Sequence, residues 1–128
     1  AGNKGDAWGA EQKVQGAMSP PSGPFLGAGG VPAYGTSKVG AMGLTKILAQ
    51  TYAPRGVRVN GIAPGFVPTR LTAKTTDDER LAQTALARIP MGRFGTCDEM
   101  AGVAVFLASP LASYVTGQTI LADGGMLL

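Results

Sequence analysis

From Ala33 to Tyr52 the chain runs without a proline, and its apolar residues fall on nearly every side of the helix it would form: Val39, Ala41, Met42, Leu44, Ile47 and Leu48. A helix that is apolar all round expects cover on more than one face, from a sheet and from a partner chain. Pro54 and Gly56 stop it, because proline disfavours helix in the residue before it and glycine permits the turn. Val57 to Ile62 then alternates with period 2 and is bounded by Pro64-Gly65, the pattern of a strand. This one unit already excludes an all-helical or an all-strand fold.

The units that follow extend the same theme. Thr75 to Arg88 is a helix candidate with acidic residues in its first turn, where the helix dipole favours them; Pro90 and Gly92 break it. Thr96-Cys97-Asp98-Glu99 fits a capping box, in which threonine and glutamate satisfy each other's free backbone donors. Met100, Val103, Ala104 and Leu107 follow at helical spacing up to Ser109-Pro110. Thr119 to Ala122 is a short strand, and Asp123-Gly124-Gly125 turns out of it. The order helix, strand, helix, helix, strand joins strands by helical crossovers, so the strands should be parallel with helices covering them. There is no internal repeat.

Composition bounds the rest. At 128 residues the chain is one domain's worth, and its 20 glycines and 9 prolines are more than usual. They crowd the stretch from Ala1 to Pro32, where apolar residues keep no period, so residues 1–30 are expected to be irregular. The net charge of +3 is not gathered into a patch; basic residues between Arg70 and Arg93 alternate with Asp77, Asp78 and Glu79. Nucleic acid is therefore not an expected partner. A single cysteine, Cys97, allows no internal disulfide and fits a reducing compartment. The apolar run Val103 to Ala108 is far too short to cross a bilayer, and no charged-then-apolar signal opens the sequence, so the expectation is a cytoplasmic protein without a membrane partner. No metal site is expected.

Tyr34-Gly35-Thr36-Ser37-Lys38 carries the chemistry. A spacing of four puts the phenol and the ammonium on one helix face, one turn apart. A free tyrosine titrates near pH 10, and a neighbouring cation favours the phenolate, bringing it towards the range where acid/base catalysis is efficient. By composition alone such a pair arises by chance in roughly one chain of this length in five, so its context decides its meaning.

That context is a run of patterns in order. Val57-Arg58-Val59-Asn60-Gly61-Ile62-Ala63-Pro64-Gly65-Phe66-Val67-Pro68-Thr69 begins 23 residues after the tyrosine. Ile89-Pro90-Met91-Gly92-Arg93-Phe94-Gly95 leads into Asp98-Glu99-Met100-Ala101. Tyr114-Val115-Thr116-Gly117-Gln118-Thr119-Ile120 precedes Asp123-Gly124-Gly125. With the tyrosine and lysine, these make residues 31–128 resemble the carboxyl-terminal half of a short-chain dehydrogenase/reductase. The resemblance implies an α/β fold, the carboxyl-terminal part of a Rossmann-like doubly wound parallel sheet. It implies an NAD- or NADP-dependent oxidoreductase that interconverts a small carbonyl substrate and its alcohol. Tyr34 would be the acid/base; Lys38 would lower its pKa and bond the nicotinamide ribose; the cofactor would supply hydride. Pro64 and Gly65 would end a strand where open α/β sheets place ligands, although by itself Pro-Gly is better explained as a plain turn. Val67 resembles the residue whose backbone amide holds the carboxamide, and Thr69 the hydroxyl beside it. The Thr75–Arg88 helix resembles a substrate lid, or is a surface helix. Helix 33–52 implies a homo-oligomer, since it forms much of a subunit interface in the family.

Two departures accompany the resemblance. A serine usually lies about thirteen residues before the tyrosine at a strand end, but position 21 is proline. Ser22 is the better candidate and Ser19 the further one, among prolines and a glycine that suit a loop better than a central strand. The family's Gly-rich phosphate loop is also not matched: Gly5 and Gly9 are followed by Glu11 where glycine is expected, and Gly27 and Gly29 fail the pattern. The rival to an enzyme is therefore a catalytically incomplete piece acting as an association module. The residue pattern chooses neither the substrate nor between NAD and NADP.

Overall fold

The computed structural model describes residues 13–16, 32–70 and 72–128; for 13–16, Pro32 and Tyr34 the description is of the backbone element. Three parallel strands, β1 (Lys13–Gly16), β2 (Val59–Pro64) and β3 (Thr119–Ala122), form a sheet in the order β1-β2-β3. Lys13 pairs with Val59 at one end and Gly16 with Ile62; Gly61 to Pro64 pair with Thr119 to Ala122. Between β1 and β2 lies α1 (Pro32–Tyr52); between β2 and β3 lie α2 (Ala73–Thr76), α3 (Glu79–Leu86) and α4 (Cys97–Ala108).

Five consecutive residues of β2, Val59 to Ala63, are buried. Successive strand residues face opposite sides of a sheet, so unbroken burial requires cover on both. α1 and α4 both pack on β2 and supply it. This is the doubly wound α/β arrangement expected, with the core of Ala49, Ile62, Ala63, Leu107 and Ala112 distributed about the central strand.

β1 departs from the expectation of an irregular amino-terminal segment. Its four residues carry one aliphatic side chain, Val14, and no period; they are a strand because β2 offers a partner, a long-range reason that local pattern does not carry. β2 begins two residues later than the alternation suggested. The Val57 N–H is still engaged with the α1 end, donating to the Tyr52 carbonyl at 3.3 Å, and Arg58 reaches sideways. Its guanidinium donates to the carbonyls of Leu107 (2.7 Å), Ser109 (3.3 Å) and Val115 (3.2 Å). A cation there meets carbonyls that the end of α4 leaves unpaired.

β2 also runs on through Pro64. Gly61 donates to the Gln118 carbonyl and Gly65 to that of Ala122. Every second residue faces β3, so Pro64, which lacks an N–H, faces the β1 side beyond Ile62, where that pairing ends.

The expected single helix from Thr75 to Arg88 is two. Asp78 adopts extended backbone (ψ 116°) and its carboxylate accepts from the Leu81 N–H at 2.9 Å, so it caps α3. The acidic residues read as a first turn include the break itself, because aspartate competes for local backbone donors. The capping box of α4 forms as expected: Thr96 Oγ1 accepts from the Glu99 N–H at 3.2 Å, and Glu99 Oε2 from the Thr96 N–H at 2.9 Å. Among the described residues no helix is long and apolar enough to cross a membrane.

Candidate active site at the carboxyl end of the sheet

Because β1 and β2 are parallel and α1 is the crossover between them, α1 enters at the carboxyl end of the sheet and leaves at the other. Tyr34 and Lys38, in its first two turns, therefore share an end of the sheet with Pro64 and Gly65, which close β2. Open α/β sheets hold ligands at this end. Lys38 is half-buried. Ser22 lies outside the described residues, as do Ser19, Gly5, Gly9, Gly27 and Gly29. β1 ends at Gly16, so Ser19 and Ser22 follow its end by three and six residues.

Gly65 is more than a turn residue. A Cβ there would lie 2.6 Å from the Asp123 Cα, so only glycine lets the chain leaving β2 pass against the chain leaving β3. Asp123 is fixed in turn by its own tail: its carboxylate accepts from the N–H groups of Gly125 and Leu127, each at 3.0 Å. Gly124 and Gly125 hold φ of 65° and 86°, left-handed values that favour glycine, and the Gly124 carbonyl accepts from the Met91 N–H at 3.1 Å.

Beyond Gly65 the loop is stapled from several sides. Phe66 packs against Phe94 with ring centroids 5.8 Å apart, and its carbonyl accepts from the Gly95 N–H at 2.9 Å. Val67 is buried and its carbonyl accepts from the Thr72 hydroxyl at 2.6 Å. Among the described residues its N–H meets no acceptor. Thr69 is half-buried, its N–H donating to Thr72 Oγ1 at 2.8 Å and its hydroxyl 3.3 Å from the same atom. A buried amide with no protein acceptor is a donor available to an external carbonyl. The loop thus fits the polar end of a nicotinamide. Nothing among the described residues offers a glycine-rich cradle for a pyrophosphate.

Behind the loop, on the α4 side, a pocket of about 300 Å³ is lined by Phe66, Ile89, Met100, Val103 and Leu121, with Arg93 and Glu99 among its residues. Arg93 Nη2 pairs with Glu99 Oε1 at 2.6 Å. That hydrogen bond, with help from the Thr96 N–H, holds the Glu99 carboxyl at about 2, below its usual 4.5, and raises the Arg93 guanidinium. Among the described residues no group of histidine, cysteine or acidic side chains could hold a metal.

The family model described as "Enoyl-(Acyl carrier protein) reductase" matches residues 25–127. The chain belongs to the short-chain dehydrogenase/reductase family. Its relatives include the 3-oxoacyl-[acyl-carrier-protein] reductase of Thermotoga maritima, 50% identical over 95 residues, or 74% of this chain and 38% of that protein. The 2-dehydro-3-deoxy-D-gluconate 5-dehydrogenase of Bacillus subtilis is 47% identical over 103 residues, 80% of this chain and 41% of that one. A crystal structure of a Beutenbergia cavernae protein with NADP bound at low occupancy superposes with a TM-score of 0.81 at 45% identity. It covers 91% of this chain and 46% of its own. The chain thus spans about two-fifths of the length of these curated relatives, which agrees with the expected incomplete Rossmann-like sheet.

The family match begins at residue 25, a few residues before the start of the motif run. Two features of the site lay beyond the sequence motifs: the Gly65–Asp123 contact and the part played by Thr72. Asp123-Gly124-Gly125 signalled a turn and part of the family pattern but no contact with Gly65, and Thr72 carried no signal.

Proposed function

We propose that this chain is the reaction-bearing part of an NAD- or NADP-dependent oxidoreductase that interconverts a small-molecule carbonyl and its alcohol. The observation that carries it is the shared placement, at one end of the sheet, of a Tyr34/Lys38 pair one helical turn apart and a loop whose Val67 amide has no acceptor among the described residues. In reduction the Tyr34 hydroxyl gives its proton to the substrate oxygen, and the phenolate left behind is reprotonated from solvent. In oxidation the phenolate takes the alcohol proton. Lys38 supplies the cation that favours the phenolate and would hold the nicotinamide ribose, while the Val67 amide and Thr69 hydroxyl would hold the carboxamide. Hydride chemistry at the carbonyl carbon would be supplied by a bound nicotinamide. Ser22 is the candidate to polarise the carbonyl, with Ser19 nearer to the end of β1. The relatives named above are a 3-oxoacyl-[acyl-carrier-protein] reductase and a 2-dehydro-3-deoxy-D-gluconate 5-dehydrogenase, so likeness does not choose the substrate.

The test is a chimera in which residues 25–127 replace the matching segment of the Thermotoga maritima reductase, with Tyr34→Phe as the variant. Turnover should fall by roughly 10² to 10⁴, with folding and cofactor affinity nearly intact. Unchanged turnover would rule out Tyr34 as the acid/base. Lys38→Ala should weaken both rate and cofactor binding.

A second reading has its own observation. Val39 (53% exposed), Leu44 and Ile47 (61%) leave an apolar face on α1 uncovered within the chain. Such a face fits association through helix 33–52, whether between enzyme subunits or by a non-enzymatic module. Ile47→Lys should shift light scattering towards monomer; an unchanged mass would exclude this face.

A further inference from the structure

We propose that Thr72 is a positioning residue, a latch that presets the Val67–Thr69 loop for the nicotinamide and ties that loop to the start of α2. The proposal rests on the function proposed above. Thr72 stands at the N-cap of α2, where a threonine side chain ordinarily accepts from the first turn of the helix. It makes no such bond. Its hydroxyl instead turns back into the loop, donating to the Val67 carbonyl at 2.6 Å and accepting from the Thr69 N–H at 2.8 Å. The Thr69 hydroxyl lies 3.3 Å from the same oxygen, and the Thr72 N–H donates to the Thr69 carbonyl at 3.1 Å.

One side chain thus fixes the carbonyl of Val67 and both the amide and hydroxyl of Thr69. A hydroxyl has one proton, and the 2.6 Å contact to Val67 claims it over the 3.3 Å contact to the Thr69 carbonyl. Holding the Val67 carbonyl fixes its peptide plane and restrains the residue whose amide is left without an acceptor. On the other side, the Thr72 carbonyl accepts from the N–H groups of Thr75 (2.8 Å) and Thr76 (3.0 Å), and from the Thr76 hydroxyl. The first turn of α2 therefore cannot move without pulling on the residue that shapes the loop.

The probe is reduced nicotinamide mononucleotide at millimolar concentration, followed by amide NMR on the 128-residue chain, with Thr72→Val, Thr72→Ala and Thr72→Ser. Removing the hydroxyl should speed Thr69 amide exchange roughly ten-fold, the size of one net hydrogen bond, and Ser should restore it. In wild type and Ser the probe should shift the Val67 and Thr69 amides and slow exchange at Thr75 and Thr76. In Val both responses should be lost while the Tyr34–Lys38 end still shifts. Ala removes the same hydroxyl in a smaller side chain if Val is not accommodated. Unchanged Thr69 exchange in Val and Ala overturns the latch outright. Faster exchange with undiminished probe response shows a structural bond only and overturns the positioning role. If wild type itself shows no Val67 or Thr69 response, the nicotinamide reading of the loop falls and takes the ligand half of the proposal with it, while the exchange data still judge the latch.

Discussion

Asn60 is 2% exposed in the centre of the sheet and spans two backbone groups. Its Nδ2 donates to the Val115 carbonyl at 2.9 Å, and its Oδ1 accepts from the Gln118 N–H at 3.1 Å. The two groups are not equally dependent on it. The Val115 carbonyl keeps the Arg58 guanidinium at 3.2 Å if Asn60 is truncated, so it loses one of two donors. The Gln118 N–H is left without an acceptor. Each net hydrogen bond lost costs about 0.5–1.5 kcal/mol, so losing both should make Asn60→Ala destabilising by about 1–3 kcal/mol. At this chain length that is roughly 4–12 °C in Tm. Urea denaturation followed by circular dichroism measures it. Arg58→Met supplies the second arm: in the double variant the Val115 carbonyl loses both donors, so the combined loss should exceed the sum by about 0.5–3 kcal/mol. An Asn60→Ala cost under about 0.5 kcal/mol, or additivity within about 0.5 kcal/mol, would refute the shared-carbonyl account.

Further outcomes follow from other parts of the chain. Gly65→Ala drives a Cβ to 2.6 Å from the Asp123 Cα, where backbone must move. It should cost about 1–3 kcal/mol and shift the amides of Val67, Gly124 and Gly125, whereas Gly102→Ala, in open space on α4, should not. Glu99 has a folded-state pKa of about 2 against 4.5. Its contribution is therefore complete above pH 4.5 and is lost as pH falls towards 2; acid titration of stability should be flatter in Glu99→Gln across that window, and an unchanged profile would contradict the Arg93 pairing. The 128-residue chain should show no calorimetric binding of NAD(H) or NADP(H) at sub-millimolar concentration, because no described residue supplies phosphate-binding amides. Micromolar binding by a monodisperse monomer would mean that a phosphate site lies within the first 30 residues.

What the sequence made legible was local. The Thr96–Glu99 reciprocity, the ends of β3 and the extent of α1 are set by residues within one turn of each other, and the structure places them where pattern reading did. The placement of Tyr34 and Lys38 one turn apart on one helix was legible for the same reason. What was missed is held from far away. Lys13–Gly16 is a strand on account of residues 46 positions later. Gly65 looked like half of a Pro-Gly turn until Asp123 stood against it. The break at Asp77-Asp78 failed differently: a carboxylate near a helix start satisfies both the dipole and a cap, and composition does not say which residue is first. Thr72 is one of several threonines in a polar stretch, and only the path of the loop distinguishes it.

The Gly65–Asp123 contact also orders events in time. The loop that follows Gly65 is braced by residues made 58 positions later, at the far end of the sequence. At about 5 to 20 residues per second, roughly 3 to 12 seconds of synthesis separate the loop from its brace. During that interval α1 and β2 can already meet and Thr72 can already hold the Val67–Thr69 turn, since these contacts are short-range in sequence, while the Gly65 end of the loop has nothing against it. The site is therefore among the last parts of the chain to become native on the ribosome. A nascent chain arrested before Asp123 should carry the Tyr34–Lys38 helix beside a loop whose Gly65 end is not yet held.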